Sequence, residues 1–187
     1  MTGIITDNVG RAGGLVKAAA AGGFTLATEQ AVTSGTGVTF GSIPAGVKQI
    51  DLMFHEVSTS STTSGDDILV QLGDAGGIEM SGYLSGGGSS DGGYMYTAGY
   101  TTGFGLFTVS YIAAGDQLIS GVMSFHLEDS ANFTWLASGT YKQKVGTTNE
   151  NMSISGGSKS LTAELTQIKV GIEDGTFDAG AVNIKYI

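Results

Sequence analysis

Short runs in which apolar and polar residues alternate recur from about residue 30 to the end of the chain, and they limit the fold more than any other feature. In residues 49–57, Ile50, Leu52 and Phe54 fall on one side of an extended chain, and the intervening residues fall on the other. The same alternation recurs in residues 121–128, 168–172 and 182–186. A period of two is typical of strands that are buried on one face. We therefore predict an all-β chain.

Turn signals separate these runs. In Ile43-Pro44-Ala45-Gly46, Pro and Gly stand at positions that suit a tight turn, and glycine-rich breaks follow at residues 73–77 and 113–116. Frequent turns between short strands predict a β-sandwich or jelly-roll-like fold of roughly eight to ten strands. The chain has 187 residues, which suits a single domain. We expect an N-terminal docking arm at residues 1–30 and a β-sandwich domain at residues 31–187.

The proposed arm differs in composition from the rest of the chain. It contains small residues, Gly pairs and only one brief tract that could form a helix, at residues 15–21. A terminal segment of this kind becomes ordered only when something holds it. We expect it to dock onto another protein, with packing on its own domain as the alternative. The apolar candidates for docking are Ile4, Ile5, Val9, Leu15 and Val16.

Charge and cysteine content argue against several classes of partner. The net charge is −9, with only eight Lys and Arg spread along the chain, whereas a phosphate-binding surface needs clustered cations. We expect no nucleic-acid partner. No stretch approaches the roughly 20 apolar residues of a membrane helix, so we expect no membrane insertion. Because the chain has no Cys, it can form neither a disulfide framework nor a thiolate metal site.

Few residues offer catalytic or metal-binding chemistry. The only two histidines, His55 and His126, each lie near a carboxylate, Glu56 or Glu128, and could pair across strands. Their positions opposite an apolar face favour ordinary surface histidines instead. The chain also lacks a nucleophile elbow, a phosphate-binding loop and a calcium-loop spacing. We predict a non-enzymatic protein with no catalytic residues, no metal and no cofactor.

A glycine- and tyrosine-rich segment has the best claim to a binding function. Residues 85–93 read SGGGSSDGG, which predicts a flexible loop tip. Tyr94, Tyr96 and Tyr100 follow, interleaved with Gly and Thr. Tyrosines combine an apolar ring with a hydrogen-bonding tip, and sugar rings stack on such faces. The alternative is that these rings fill the core or a subunit seam; Trp135 is expected to be a core anchor.

Two longer segments and three shorter ones carry a resemblance to known proteins. They are SIPAGVKQI at residues 42–50, GTFDAGAVNI at residues 175–184, and residues 57–60, 69–73 and 76–83. Together they resemble a β-rich module of bacteriophage virion proteins, from cyanophages and other marine and freshwater phages, that are often described as tail-fibre-like. The resemblance implies a virion component, and phage fibres in general imply a trimer. It supplies no catalytic motif.

These observations predict a non-enzymatic structural protein of a phage virion, of the tail-fibre or receptor-binding type. Its expected partners are other virion proteins, further copies of itself and a host surface glycan, and its expected location is the virion, assembled in the host cytoplasm. One alternative is a capsid decoration or head-fibre protein that stabilises the shell. A second alternative, from a different class, is a polysaccharide depolymerase.

Overall fold

The computed structural model describes residues 23–60, 68–91, 93–106, 117–145, 149–173 and 175–187. All the regular secondary structure within these residues is β-strand, which confirms the all-β prediction. The strands are β1 (Thr25–Leu26), β2 (Gln30–Ala31), β3 (Gly37–Phe40), β4 (Gln49–Thr59), β5 (Ile68–Asp74), β6 (Gly77–Ile78), β7 (Leu84–Asp91), β8 (Tyr94–Tyr100), β9 (Phe104–Leu106), β10 (Gln117–Asp129), β11 (Thr134–Val145), β12 (Asn149–Ser160), β13 (Gln167–Ile172) and β14 (Phe177–Tyr186).

The strands form two antiparallel sheets, as a β-sandwich requires. The larger sheet has nine strands in the order β1-β14-β4-β10-β11-β12-β7-β8, with β2 also paired to β14. The smaller sheet has five strands in the order β3-β13-β5-β6, with β9 also paired to β5. In the larger sheet, neighbouring strands are often distant in sequence, so its order could not be read from local patterns.

The core lies between the two sheets and follows the predicted alternation. Ile50, Leu52 and Phe54 of β4 are buried, and so are Met123 and Phe125 of β10. Apolar residues of β13 and β14 complete this core: Ile168, Val170, Val182 and Ile184. The side chain of Trp135 is only 2% exposed, which confirms its prediction as a core anchor.

Aromatic contacts tie the smaller sheet to the larger one. The ring of Phe104 in β9 packs edge-on against Phe125 in β10, with ring centres 5.6 Å apart, and against Tyr83, 5.1 Å away. The hydroxyl of Tyr83 accepts a hydrogen bond from the backbone N–H of Leu72 and donates one to the carbonyl of Glu79, both at 2.8 Å. Tyr83 directly precedes β7, so these bonds hold the start of β7 against β5.

Residues 85–91 of the glycine-serine run predicted as a loop tip instead belong to strand β7, and for them that prediction was wrong. Its backbone pairs with β12 on one side and with β8 on the other. Glycine suits this position because the strands approach closely: a Cβ added at Gly88 would lie 2.9 Å from the carbonyl oxygen of Tyr96. Backbone pairing on both sides therefore orders a run whose composition favours flexibility. Short strands, and strands without alternating side chains, were not expected from the sequence. The structure therefore has more strands than the roughly eight to ten expected.

The described part of the proposed arm joins the larger sheet. Residues 23–30 contribute β1 and the start of β2, both paired with β14. The side-chain amide of Asn183 donates to the carbonyl of Ala27 at 3.1 Å, and the Lys185 ammonium lies 4.6 Å from the centre of the Phe24 ring. The candidate docking residues Ile4, Ile5, Val9, Leu15 and Val16 lie outside the described residues.

Candidate binding surface at the end of the larger sheet

Strands β7 and β8 form an antiparallel hairpin that ends the larger sheet. Seven residue pairs join them without a register shift, from Ser85 opposite Tyr100 to Asp91 opposite Tyr94. On its other side, β8 pairs with no strand of the described residues. The hairpin therefore presents two faces, one on either side of the larger sheet.

The three candidate tyrosines lie on one face of β8. Tyr96 is opposite Ser89 of β7, which is fully buried and faces the smaller sheet. Because side chains alternate along a strand, Tyr94, Tyr96 and Tyr100 share this inner face. Met95, Thr97 and Gly99 lie on the outer face.

The tyrosines divide into two groups by their surroundings. The ring centres of Tyr94 and Tyr96 lie 6.4 Å apart at a tilt of 44°, and 73% of Tyr94 is exposed. The ring of Tyr100 instead packs directly on Gly105 of β9, where an added Cβ would collide with it. The exposed Tyr94 and the half-buried Tyr96 therefore form an aromatic pair, and Tyr100 anchors β8 to the smaller sheet.

A shallow apolar groove, which we call the glycine groove, crosses the outer face of the hairpin. Its volume is about 490 Å³, and its lining includes Gly86, Gly88, Met95, Ile154 and Gly156. The strand registers place Gly156 beside Gly86, and Gly86 beside Gly99, in one row across three strands. Because glycine has no side chain, the backbone of this row forms the floor of the groove. Met95 and Ile154, which are 64% and 55% exposed, form apolar walls.

The surface is uncharged. From Tyr94 to Tyr100 no residue is Asp, Glu, Lys, Arg, His or Pro, and the same holds from Leu84 to Ser90 of β7. None of the residues that line the glycine groove is charged. In a chain with a net charge of −9, these two segments, whose nearest charged residue on the hairpin is Asp91 at the end of β7, are suited to apolar and stacking contacts.

The structure keeps the two histidines apart. On β4, Gln49 lies opposite His126, and His55 is six residues further along the same strand. Six residues of a strand span roughly 20 Å, so His55 and His126 do not share a site. Both are exposed, as are Glu56 and Glu128. Across the described ranges, no group of three or more His, Cys, Asp or Glu residues is arranged to hold a metal ion.

The acidic pair Glu128-Asp129 has a structural task at its turn. The Asp129 carboxylate accepts hydrogen bonds from the Asn132 side-chain amide at 2.7 Å and from the backbone N–H of Ala131 at 2.8 Å. These hydrogen bonds lower the pKa of Asp129, and the bond from Asn132 has the largest effect. Two further acidic pairs occur in the sequence, at Asp66-Asp67 and Glu173-Asp174, and Asp66, Asp67 and Asp174 lie outside the described residues.

Sequence reasoning identified the tyrosines but missed the glycine groove. Gly86 and Gly88 were included in an expected loop, and Gly156 and Ile154 were not singled out. The run of three consecutive glycines, Gly86 to Gly88, was the signal available. This glycine run indicates a groove only once β7 is known to lie between β8 and β12.

Comparisons with known proteins give no identification. No protein-family model, no curated protein and no solved structure matches the chain. The resemblance to phage virion proteins therefore remains a prediction. In the portion of the chain that the structure covers, no helix has the length and apolar character needed to cross a membrane.

Proposed function

We propose that this protein is a non-enzymatic structural protein of a bacteriophage virion and that it attaches to a host surface glycan through the β7–β8 hairpin. The observation that carries this proposal is the aromatic pair of the exposed Tyr94 and the half-buried Tyr96 on a strand at the end of a large sheet. The sequence resemblance supplies the virion context. Within that context the protein acts as a tail-fibre or receptor-binding subunit.

The chemistry of the tyrosine pair fits a sugar ligand. A tyrosine ring offers a flat apolar face for the C–H groups of a sugar ring, and its hydroxyl offers a hydrogen bond. Such rings also lose little conformational entropy on binding, because a tyrosine has only two side-chain torsions. Here Tyr100, packed on Gly105, fixes the far end of the same strand. The pair is thus presented on a preorganised support.

A glycan array tests the attachment role. We expect the purified protein to select a subset of host surface glycans, and Tyr94→Ala to weaken that binding at least tenfold, a loss of about 1.4 kcal/mol. Phe24→Ala is the matched control, because Phe24 is a 47% exposed aromatic residue at the opposite end of the same sheet. Binding that is absent, or equal in the two variants, would remove the support for a glycan site at the hairpin.

The arm is proposed to hold the protein on the particle. Removing residues 1–22 leaves β1 and β2 in place, so the truncated chain is expected to keep its fold. We expect it to lose incorporation into virions, which immunoblotting of purified particles measures. Unchanged incorporation would contradict docking through Ile4, Ile5, Val9, Leu15 and Val16. An arm found on the capsid shell would assign the decoration role instead.

A further inference from the structure

A second pocket, which we call the end pocket, opens at one end of the sandwich. Its volume is about 140 Å³, and four segments of the chain form its walls. They are the turn before β4, the end of β10 with the turn that follows it, the start of β11, and the loop between β12 and β13. Strand β12 lies between β11 and the β7–β8 hairpin, so the end pocket is a separate site from the proposed attachment surface.

The end pocket combines an apolar interior with charged groups at its mouth. Its apolar side chains are buried or half-buried: Val47, Leu127, Phe133, Trp135 and Leu165. Lys48 and Glu164 also line it, and both are exposed. In the described part of the chain, neither Lys48 nor Glu164 takes part in an ion pair. One cation and one anion are therefore available at the mouth.

Hydrogen bonds hold the walls of the end pocket together. The backbone N–H of Gly46 donates to the Glu164 carboxylate at 2.7 Å, which ties the turn before β4 to the loop between β12 and β13. The backbone N–H of Leu127 donates to the carbonyl of Lys48 at 2.9 Å, which ties the same turn to β10. A pocket whose walls are already fixed loses little conformational entropy when a ligand enters.

The described residues on either side of the internal gaps lie toward the opposite end of the sandwich. In the pairing of β10 with β11, Leu127 is opposite Trp135 at the end pocket, and Gln117 is opposite Val145 at the other end. The ten residues from Gln117 to Leu127 span roughly 33 Å of strand. Leu106, which precedes another gap, lies beside Ile119 near that far end. The walls of the end pocket are thus formed by described residues alone.

We propose that the end pocket binds a small zwitterionic aromatic molecule, of the class of a free aromatic amino acid. The volume suits one six-membered ring, since an apolar cavity of about 150 Å³ takes up benzene. Phe133 and Trp135 offer the ring aromatic contacts, which are favourable in edge-to-face and offset arrangements. Burial of the ring against the aliphatic side chains adds to the binding free energy.

The charges at the mouth match the head group of such a ligand. The Lys48 ammonium attracts an α-carboxylate, and the Glu164 carboxylate attracts an α-ammonium group. A sugar suits this pocket less well, because its hydroxyl groups would be buried against apolar side chains without hydrogen-bond partners. The inference goes beyond the proposed attachment to a glycan and does not depend on it.

Nuclear magnetic resonance of the full chain tests this site, because Trp135 is the only tryptophan. Its indole N–H donates to no described residue and gives one isolated signal. Titration with L-phenylalanine should shift that signal to saturation, with half-saturation at roughly 1 mM for so small a ligand. Val47→Phe, which fills the pocket, should abolish the shift. Val122→Phe is the control, because Val122 is exposed on β10 and does not line the pocket.

Two charge variants test the head group without filling the pocket. Lys48→Met should weaken binding of L-phenylalanine and of phenylpropionate about threefold, as for an exposed ion pair, and should not weaken binding of phenethylamine, which has no carboxylate. Glu164→Gln should weaken L-phenylalanine and phenethylamine but not phenylpropionate, which has no ammonium group. An indole signal that does not move in the wild type, or that moves equally in Val47→Phe, would overturn the proposal, and so would charge variants that affect all three ligands alike.

Discussion

The ammonium group of Lys159 lies 2.5 Å from a carboxylate oxygen of Glu79, although only 6% of the Lys159 side chain is exposed. Lys159 belongs to β12 of the larger sheet, and Glu79 directly follows β6 of the smaller one. The second Glu79 oxygen accepts a hydrogen bond from the backbone N–H of Thr162 at 2.8 Å, and the Lys159 ammonium also lies 5.4 Å from the ring centre of Tyr83. This cluster joins the two sheets near the start of the hairpin.

Replacing Glu79 should destabilise the fold, because it leaves the Lys159 charge buried without an opposite charge. Breaking a buried ion pair on one side costs about 3 kcal/mol. We expect Glu79→Gln to lower the urea midpoint of unfolding accordingly. The control is Glu128→Gln at an exposed position, with an expected effect within about 0.5 kcal/mol. Equal midpoints for the two variants would contradict a stabilising role for the ion pair.

The same cluster predicts a loss of stability in acid. Burial alone would raise the pKa of Glu79, but hydrogen bonds from Lys159 and Thr162 outweigh it and hold the pKa below its usual value. A hydrogen bond from the Thr162 hydroxyl, and another from the backbone of Gly76, lower the pKa of Asp74. Because the unfolded chain then binds protons more readily, stability is fully present above the ordinary carboxyl pKa of about 4 and falls as pH drops through the lower folded values.

Urea unfolding measured from pH 6 down to pH 2.5 tests the predicted fall in stability. The wild-type free energy of unfolding should decline below about pH 4, where the unfolded carboxyl groups begin to bind protons. Glu79→Gln removes one of the linked groups, so its decline should be shallower. A variant that declines as steeply as the wild type would show that Glu79 does not contribute to the acid dependence.

Because the Tyr100 ring packs on Gly105, we predict that any larger residue at position 105 destabilises the fold. Gly105→Ala forces the ring away, and overpacking of this kind costs about 1–3 kcal/mol. Gly41→Ala is the control, because no atom lies within 4 Å of an added Cβ and its backbone is not left-handed. In a double-mutant cycle with Tyr100→Ala, the two effects should be non-additive, since removing the ring removes the collision. Additive effects in thermal unfolding would contradict the contact.

Hydrogen exchange distinguishes strand β7 from the loop that composition favours. Gly86, Gly87 and Gly88 lie between two paired strands, so a substantial part of their backbone amides should be protected from exchange. Two-dimensional NMR after transfer to deuterated water measures this. Exchange of all three amides at the rate of an unstructured glycine peptide would contradict the placement of β7.

The difference between β7 and the correctly predicted strands has a physical cause. Runs such as residues 49–57 and 121–128 carry large side chains whose alternation matches the two sides of a strand, so their burial follows from local sequence. The glycine-serine run carries almost no such pattern, and its structure comes from pairing with β12, more than 60 residues away in sequence. Tertiary contacts therefore decide its conformation.

The candidate surface was predictable only in part, for the same reason. The tyrosines were visible as aromatic residues among small ones, but their shared face follows only from β8 being a strand. The division between the pair of Tyr94 and Tyr96 and the anchoring Tyr100 depends on β9, and the place of the hairpin at the end of the sheet depends on the order of strands. Likewise, the separation of His55 from His126 follows from the register of β4 and β10. Local sequence determines none of these relationships.

Cryo-electron microscopy of the phage particle that is proposed to carry this chain tests the central claim most directly. The proposal predicts density for the β-sandwich on the tail, with residues 1–22 against other virion proteins and the tyrosine pair of each β7–β8 hairpin facing outward. Particles that lack the chain, or a sandwich whose Tyr94 and Tyr96 are buried against the virion, would contradict a role in attachment.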